Sequence, residues 1–302
     1  MLQKIGYACI NTSIKPRKFN DCRLNSVYKY GIDYLRNKII NNLYLVKDIL
    51  LWNIQNDIYM YRVSSRLFPL VTHPDIINDF DWNWKKDDEI LEIMKEISGI
   101  VIRYNIRLSM HPDQFTVLNS PNEKVVKNSI INIKYHYDIL KRLSGNDMII
   151  HTGGVYNDKE SAIKRFIEVF NNLEDDIKSM IRLENDDKSF TVVDVLYINS
   201  KTNIPIVLDI HHHKCNNPNN INIKNYLSNI MNTWKNTSLI PKLHISSGRD
   251  NTLDKKHSDY IHIDDLNYLL KVIDKFDFDL MVEAKQKDKA VLNIIDILKD
   301  IP

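Results

Sequence analysis

The chain has 302 residues, with 41 Lys and Arg against 39 Asp and Glu and a formal net charge of +2. This length can bury the core of one large α/β domain, and the near-neutral charge balance neither indicates nor excludes a nucleic-acid partner. The three cysteines lack metal-type spacing, and no apolar run approaches the ~20 residues of a transmembrane helix. Because the N-terminus also lacks a signal-peptide pattern, we expect a cytoplasmic protein without disulfides or a membrane segment.

Short apolar runs alternate with helical patterns along the chain. Each run predicts a buried parallel strand, and the predicted strands are 4–10, 57–63, 106–110, 147–150, 180–184, 205–209, 241–245 and 278–283. Apolar residues spaced three and four apart predict helices at 24–55, 89–104, 124–143, 158–179, 190–201, 222–236, 263–275 and 286–299. Eight such units predict an α/β fold, a (β/α)8 TIM barrel, in a single domain over residues 1–302.

The segments that follow the predicted strands differ in length. Residues 11–23 and 64–88 form long loops, and 211–221 and 246–262 form moderate ones. Long loops at the C-terminal face of a barrel shape substrate binding, so we expect the substrate at this face.

Histidines and carboxylates recur at or just after the ends of the predicted strands. The set is His111, His151, Glu184, Asp209, His212, His244, His257 and Glu283. Because all strands of a parallel barrel end on the same side, these side chains can converge there. Neutral imidazoles with carboxylates are the donors that catalytic divalent ions use, so the pattern predicts a metal site with two or three ions.

The positions of these residues suggest roles within the site. Glu184 and Glu283 stand at strand ends, where a carboxylate can bridge two ions. Lys242 and His244 are two residues apart on one strand and therefore both point into the barrel. A charged lysine beside metal ions would be costly, which leaves Lys242 deprotonated, paired or chemically modified.

Each of these residues also has a structural interpretation when it is taken alone. One histidine near a strand end is more often a hydrogen-bonded structural residue than a ligand, and it is the recurrence that favours metal binding. His211 and His213 flank His212 and are expected to point elsewhere, whereas His136 and His262 are expected to be structural.

With these positions in hand, the chain resembles the UV damage endonuclease family, a branch of barrel-fold DNA-repair nucleases. The matching blocks are GYACIN (6–11), YRVSSRLFPLVTH (61–73), MHPDQFTVLNSP (110–121), HTGG (151–154), LEND (183–186), LDIHHH (208–213), PKLHISSGR (241–249), HSDYI (257–261) and MVEAKQKDKA (281–290). They lie in order across nearly the whole chain. Together they are specific, whereas HTGG or LDIHHH alone would be weak.

The resemblance implies up to three divalent ions held by the eight residues of the strand-end set. Manganese is favoured, and zinc, cobalt and magnesium remain alternatives. Glu184, Glu283, Lys242 and His244 take the catalytic positions, and Lys242 matches a lysine that is carboxylated in some members.

The resemblance also implies a reaction and a partner. The family hydrolyses the phosphodiester immediately 5′ of a lesion and leaves a 3′-hydroxyl and a 5′-phosphate. The expected substrate is UV-damaged double-stranded DNA with cyclobutane pyrimidine dimers or 6-4 photoproducts, and abasic sites are a further candidate. We expect a monomer that needs no protein partner and associates with the nucleoid during repair.

DNA contacts are expected from the same loops. The resemblance makes Gln114 and Phe115 the lesion probes, although several relatives have Tyr in place of Phe115, and puts Tyr7 and Asn11 in the same region. Ser64 and Ser65 are candidate phosphate donors. The candidate cations are Lys15, Arg17, Lys18, Arg62, Arg66, Lys85, Lys86, Arg249, Lys255, Lys256, Lys285, Lys287 and Lys289.

Three other functions compete with this interpretation. Endonuclease IV shares the fold and the three-metal plan, but the YRVSS and HPDQF blocks favour the UV branch. A sugar isomerase or epimerase would use one or two ions, which the eight candidate ligands and the basic loops disfavour. A damage-binding module with purely structural metals would lack nicking activity with Mn²⁺.

Overall fold

A computed structural model describes residues 1–14 and 19–299 as a parallel barrel closed in sequence order. The strands are β1 (Leu2–Ala8), β2 (Met60–Val63), β3 (Arg107–Met110), β4 (Asp147–His151), β5 (Ile181–Glu184), β6 (Ile206–Asp209), β7 (Lys242–Ile245) and β8 (Phe278–Val282). Each strand pairs with the next, and β8 pairs with β1. The predicted (β/α)8 barrel is confirmed. The predicted cations Lys15, Arg17 and Lys18 lie outside the described residues.

Helices surround the barrel. They are α1 (Leu24–Tyr30), α2 (Ile32–Gln55), α3 (Pro74–Asp79), α4 (Asp88–Arg103), α5 (Glu123–Arg142), α6 (Lys159–Asn171), α7 (Asp175–Met180), α8 (Val192–Thr202), α9 (Ile210–Cys215), α10 (Lys224–Asn232), α11 (Ile263–Ile273) and α12 (Asp288–Lys299). A 3₁₀ turn spans Trp84–Lys86. No helix in residues 1–14 or 19–299 is long and apolar enough to cross a membrane.

The helices depart from the predicted ones in three places. The predicted helix 24–55 is two helices, because Gly31 separates them with φ of +83°, a value that L-residues rarely adopt. The predicted helix 158–179 divides into α6 and α7. The 64–88 and 211–221 segments, expected to be loops, contain α3 and most of α9.

Side chains at the helix starts explain several of the boundaries. Asp87, Asn122 and Asp158 each accept a hydrogen bond from a backbone N–H in the first turn of the helix that follows. Thr191 and Asp194 form a reciprocal capping box on α8. Each such cap stabilises its helix by about 1 kcal/mol.

The inside of the barrel contains many charged and polar side chains together with a small apolar group of Ala8, Met60 and Met281, in contrast to the apolar layer between strands and helices. Successive strand residues face opposite sides of the sheet, and the inward positions carry two levels of functional side chains. The lower level, here called the charged tier, consists of five buried residues: Arg107, Asp147, Arg182, Lys242 and Asp279. The upper level, at the C-terminal ends of the strands, holds the predicted metal ligands.

Candidate metal centre

Glu184, the last residue of β5, lies at the middle of the upper level and is only 1% exposed. Its Oε2 lies 3.6 Å from His111 Nε2 and 3.7 Å from His151 Nε2. Its Oε1 lies 2.8 Å from His244 Nδ1 and 3.6 Å from His212 Nδ1. The two oxygens of one carboxylate therefore face two different pairs of imidazoles, as a bridging ligand requires.

Two further carboxylates complete the cluster. Donor atoms lie within 4.8 Å of one another in three groups, all of which contain Glu184: with His111 and His151, with His244 and Glu283, and with Asp209 and His212. The structure thus brings together seven of the eight predicted ligands. They come from six different strands or strand ends, which explains why no local motif contains them all.

Hydrogen bonds to the backbone orient two of the imidazoles. His111 Nδ1 lies 2.7 Å from the carbonyl oxygen of Pro112, and His212 Nδ1 lies 3.0 Å from that of Asn185. A carbonyl only accepts, so each Nδ1 carries a proton and Nε2 is the nitrogen that can ligate a cation. This is how metal-binding histidines are commonly oriented.

Asp209 is fixed by its neighbours on both sides. Its Oδ1 accepts a hydrogen bond of 2.7 Å from the backbone N–H of His212 at the start of α9. The side chain of Asn185 donates to the Asp209 carbonyl and accepts from the Asp209 N–H, both at 3.0 Å. This role of Asn185 was not predicted, although it directly follows Glu184 in the LEND block.

The charges in the cluster change the pKa values of its residues. Burial alone would favour protonated Glu184, but His244 and His151 hold its pKa well below the ordinary value. Burial likewise opposes the charge on His212, yet Asp209 and Glu184 raise its pKa to about 9. A proton held on an imidazole must leave before the nitrogen can ligate a cation, so metal binding here should strengthen as the pH rises.

Unpartnered buried atoms provide a test of whether the site suits a metal. Asp209 Oδ2, His151 Nδ1 and His244 Nε2 are buried without a hydrogen-bond partner among the described residues. Such atoms are costly unless another group satisfies them. Three carboxylates and four imidazoles form a donor set that fits several divalent cations.

The charged tier lies beneath this cluster and contains Lys242. Lys242 Nζ is 2.7 Å from Asp147 Oδ2, although the angle is not that of a hydrogen bond. Burial lowers the pKa of Lys242 to about 8 against the attraction of Asp147. Of the three states the sequence left open, the structure shows a paired lysine, and Asp147 is a partner that the sequence analysis missed.

A family model described as UV-endonuclease UvdE matches residues 3–302. The chain belongs to the UvdE family. It is therefore a nuclease that acts on DNA, and the resemblance inferred from the sequence blocks is confirmed.

Individual UvdE relatives support this membership. The UV DNA damage endonuclease of Bacillus mycoides is 38% identical over 277 residues, covering 89% of this chain and 84% of that protein. The protein of the same name from Bacillus velezensis is 37% identical and covers 80% of this chain and 75% of its own length. The crystal structure of SacUVDE superposes with a TM-score of 0.88 at 32% identity, covering 99% of this chain and 98% of its own.

More distant structures share only the fold. Endonuclease IV from Thermus thermophilus has a TM-score of 0.57 at 9% identity, covering 85% of this chain and 95% of its own. The 3-keto-D-glucoside 4-epimerase YcjR from E. coli has a TM-score of 0.59 at 11% identity, covering 98% of this chain and 98% of its own. The sequence analysis considered both kinds of enzyme as alternatives to a UV damage endonuclease. At such low identity, neither similarity assigns a function to this chain.

The remaining histidines occupy different surroundings in this UvdE member. His257 is not in the three donor groups, although it lies close enough to Glu283 to help lower the pKa of that carboxyl. Its ring packs against that of His211 at 6.4 Å. His211 and His213 point away from the cluster, toward Asp254 and Asn217 respectively, as expected.

The structural roles expected for two other histidines agree with their positions. His136 is buried on α5, where its Nδ1 lies 2.8 Å from the Asn132 carbonyl oxygen. His262 is half exposed and immediately precedes α11.

The lesion-probe candidates of the UvdE fold project into solvent. Phe115 is 76% exposed, so ordinary core packing is excluded for it. Gln114 beside it is also exposed, and Asp113 Oδ1 accepts a hydrogen bond of 2.8 Å from the Phe115 N–H. Both residues follow β3 and lie just beyond the predicted ligand His111.

Tyr7 and Asn11 are buried in this structure, and their role in lesion binding stays a prediction. Tyr7 is fully buried and donates a hydrogen bond of 2.6 Å to Asn53 Oδ1 on α2. Asn11 is 6% exposed, donates to the Tyr7 hydroxyl and accepts from the backbone of Ser13 and Ile14. These two residues shape the loop after β1, because their polar atoms are already used internally.

Two further candidates are enclosed. Arg62 forms an ion pair of 2.6 Å with Glu283 and is 8% exposed. Ser64 is also buried and accepts a hydrogen bond from the Arg66 N–H, whereas Ser65 is half-buried. A direct phosphate contact by Arg62 or Ser64 therefore conflicts with their burial in this structure.

The other predicted cations are accessible. Lys285 is exposed and Lys287 half-buried, and neither has an acidic partner in the described part of the chain. Arg249 is exposed and pairs with Asp250. Lys285 and Lys287 directly follow Glu283, so their charges are available beside the metal cluster.

Proposed function

We propose that this UvdE member hydrolyses the phosphodiester immediately 5′ of UV photoproducts and leaves a 3′-hydroxyl and a 5′-phosphate. Its substrates would be cyclobutane pyrimidine dimers and 6-4 photoproducts, with abasic sites as a further class. The cofactor would be up to three divalent ions, with Mn²⁺ favoured over Zn²⁺, Co²⁺ or Mg²⁺.

The observation that best supports this proposal is that the two oxygens of Glu184 face different pairs of imidazoles. One oxygen faces His111 and His151 and the other faces His212 and His244. Divalent ions bound by these donors would supply Lewis-acid neutralisation of the scissile phosphate and of charge developing on the leaving 3′ oxygen. The protein holds their donors rigidly, since each is on a strand or the turn that follows it.

The residues of the cluster would have different roles. Glu184 and Glu283 would hold the ions through their carboxylates, and His244 lies between them, with Nδ1 at 2.8 Å from Glu184 and 3.2 Å from Glu283. His257 would be the eighth metal ligand. Lys242 supports the cluster from below through its pairing with Asp147. No protein side chain acts as the nucleophile.

Recognition of damage would use the exposed residues around the cluster. Photoproducts stack and pair poorly, so extruding them costs less than the few kcal/mol needed for normal bases. Gln114 and Phe115 would occupy the distorted site, and Arg249, Lys285 and Lys287 would contact phosphates. Residues 1–302 would act as one domain, as a monomer without an obligate protein partner, in the cytoplasm and at the nucleoid during repair.

Incision of end-labelled DNA tests the proposal. UV-irradiated and unirradiated duplexes are incubated with protein freed of metal by chelation, with and without added Mn²⁺. We expect Mn²⁺-dependent nicking of irradiated DNA only, one phosphodiester 5′ of the lesion. Removal of the new 5′-phosphate by phosphatase identifies the product end.

The outcomes separate the parts of the proposal. Equal nicking of both duplexes would refute lesion specificity but not nuclease activity. Nicking 3′ of the lesion would refute the cleavage position. Full activity without added metal, or with Glu184→Gln, would refute the metal mechanism.

A further inference from the structure

Arg62 and Glu283 meet across a strand that lies between them. In the barrel β1 separates β2 from β8, and Arg62 pairs in register with Ala8 of β1. Tyr7 pairs with Val282, so Glu283 is level with Ala8 on the other side. Only the small side chain of Ala8 occupies this level of β1, which leaves room for Arg62 to reach Glu283.

The contact fixes one oxygen of Glu283. Arg62 Nη1 lies 2.6 Å from Glu283 Oε1, and His244 Nδ1 lies 3.2 Å from the same oxygen. The hydrogen bond from Arg62 sets the rotation of the carboxylate, and the His244 imidazole lies beside the same oxygen. Oε2 has no hydrogen-bond or ion-pair partner among residues 1–14 and 19–299 and is the oxygen left for a cation.

A phosphate contact by Arg62 would break this arrangement. The Arg62 side chain is only 10% exposed and that of Glu283 is 14% exposed. If the guanidinium turned outward, it would leave a buried carboxylate beside Glu184 without its counter-charge, which is strongly unfavourable. Lys285 and Lys287 offer charge to DNA without this penalty, since neither has an acidic partner in residues 1–14 or 19–299.

We propose that Arg62 is a positioning residue, which orients Glu283 for metal binding and does not bind DNA phosphate. The inference rests on the proposed metal mechanism and assigns Arg62 a different role from that of the other basic residues. Outer-shell partners that orient a metal-binding carboxylate typically contribute 10–100-fold to metal affinity. A phosphate-binding arginine would instead contribute to the salt dependence of DNA binding.

Two binding measurements on the whole protein distinguish these roles. Mn²⁺ alone is titrated into metal-free wild type, Arg62→Gln and Arg62→Lys, with free Mn²⁺ followed by electron paramagnetic resonance. Affinity for UV-irradiated duplex is then measured at several salt concentrations without added metal, so that the duplex is not nicked. Lys285→Ala is the matched control for an exposed cation on the same face.

We expect Arg62→Gln to bind Mn²⁺ about 10–100-fold more weakly and Arg62→Lys to recover part of that loss. The salt slope of DNA binding should stay at the wild-type value in both variants. Lys285→Ala should show the reverse, with unchanged Mn²⁺ affinity and a slope reduced by about one.

Each contrary result has a definite meaning. Wild-type Mn²⁺ affinity in Arg62→Gln would overturn the inference, whether or not DNA binding changed. If Arg62→Gln does not fold, unchanged Mn²⁺ affinity in folded Arg62→Lys together with a reduced salt slope would overturn it too. Wild type that binds no Mn²⁺ would refute the underlying metal mechanism, whereas wild type that binds Mn²⁺ but nicks no DNA would leave the role of Arg62 standing.

Discussion

Neutralising Asp147 should destabilise the protein more than removing Lys242, because of the charge count in the charged tier. Asp147 Oδ2 lies 2.8 Å from Arg107 Nε and 2.7 Å from Lys242 Nζ, and its Oδ1 lies 3.0 Å from Arg182 Nε. Asp279 is the second anion and pairs with Arg107 at 2.7 Å. Three cations and two anions thus leave one uncompensated positive charge in a buried space.

The substitutions change that excess in opposite directions. Asp147→Asn raises it from +1 to +2, and we expect a loss of about 3–5 kcal/mol in the free energy of unfolding, typical of a broken buried ion pair. Lys242→Met balances two arginines against two aspartates and should cost about 1 kcal/mol or less, because Asp147 keeps Arg107 and Arg182 and no buried charge is left uncompensated. The double variant returns the excess to +1 and should be more stable than Asp147→Asn alone.

Urea denaturation of metal-free protein measures these differences. Burial alone would raise the pKa of Asp147, but Arg107 and Lys242 hold it far below its ordinary value of about 3.9. A depressed carboxyl pKa contributes stability that is present above the unfolded value and is lost as the pH falls below it. The difference in the free energy of unfolding between wild type and Asp147→Asn should therefore decrease as the pH falls below about 4.

The reasoning would be refuted by either of two results. The first is a cost of Lys242→Met equal to that of Asp147→Asn, and the second is simple addition of the two losses in the double variant. Additivity would mean that the two residues do not interact, in spite of the 2.7 Å contact.

Three further predictions concern other sites. Glu184→Gln should weaken Mn²⁺ binding and nicking by more than about 100-fold, since the loss of a direct ligand exceeds that of an outer-shell partner. Phe115→Ala should weaken binding to irradiated duplex by about 1–3 kcal/mol in a fluorescence anisotropy titration, without changing stability, because the ring is 76% exposed. Burial lowers the pKa of His136 to about 4, below the unfolded value of about 6.5, so its stabilisation is lost as the pH falls between these values. Wild type should therefore lose about 2 kcal/mol between pH 7 and pH 5 that His136→Gln does not lose.

Each of these predictions has a control. Glu174→Gln changes an exposed carboxylate far from the cluster and should leave Mn²⁺ affinity unchanged. Phe115→Tyr keeps the stacking surface and should bind as wild type does, and equal losses on unirradiated DNA in Phe115→Ala would contradict a lesion-specific role. A parallel pH dependence in wild type and His136→Gln would show that His136 is not responsible.

The sequence by itself determined the strands and the face on which the site lies. Apolar runs that end in His151, Glu184 or Asp209 identify both a buried strand and a polar residue at its carboxyl end. Because parallel strands of a barrel all end on one side, the convergence of distant ligands follows without any knowledge of contacts. The alternation of side chains along a strand likewise predicted that Lys242 and His244 both point inward.

Only the tertiary structure decided which partner each inward or loop residue meets. Arg62 was grouped with the DNA-binding cations, but closure of the barrel places it against Glu283, 221 residues away. Tyr7 was expected near the lesion-probe residues, but α2 covers it and its hydroxyl donates a hydrogen bond to Asn53. Lys242 meets Asp147 from across the barrel, a pairing that neither strand encodes. A strand's pattern fixes the direction of a side chain, whereas its charge partner depends on the level at which non-neighbouring strands meet inside the closed sheet.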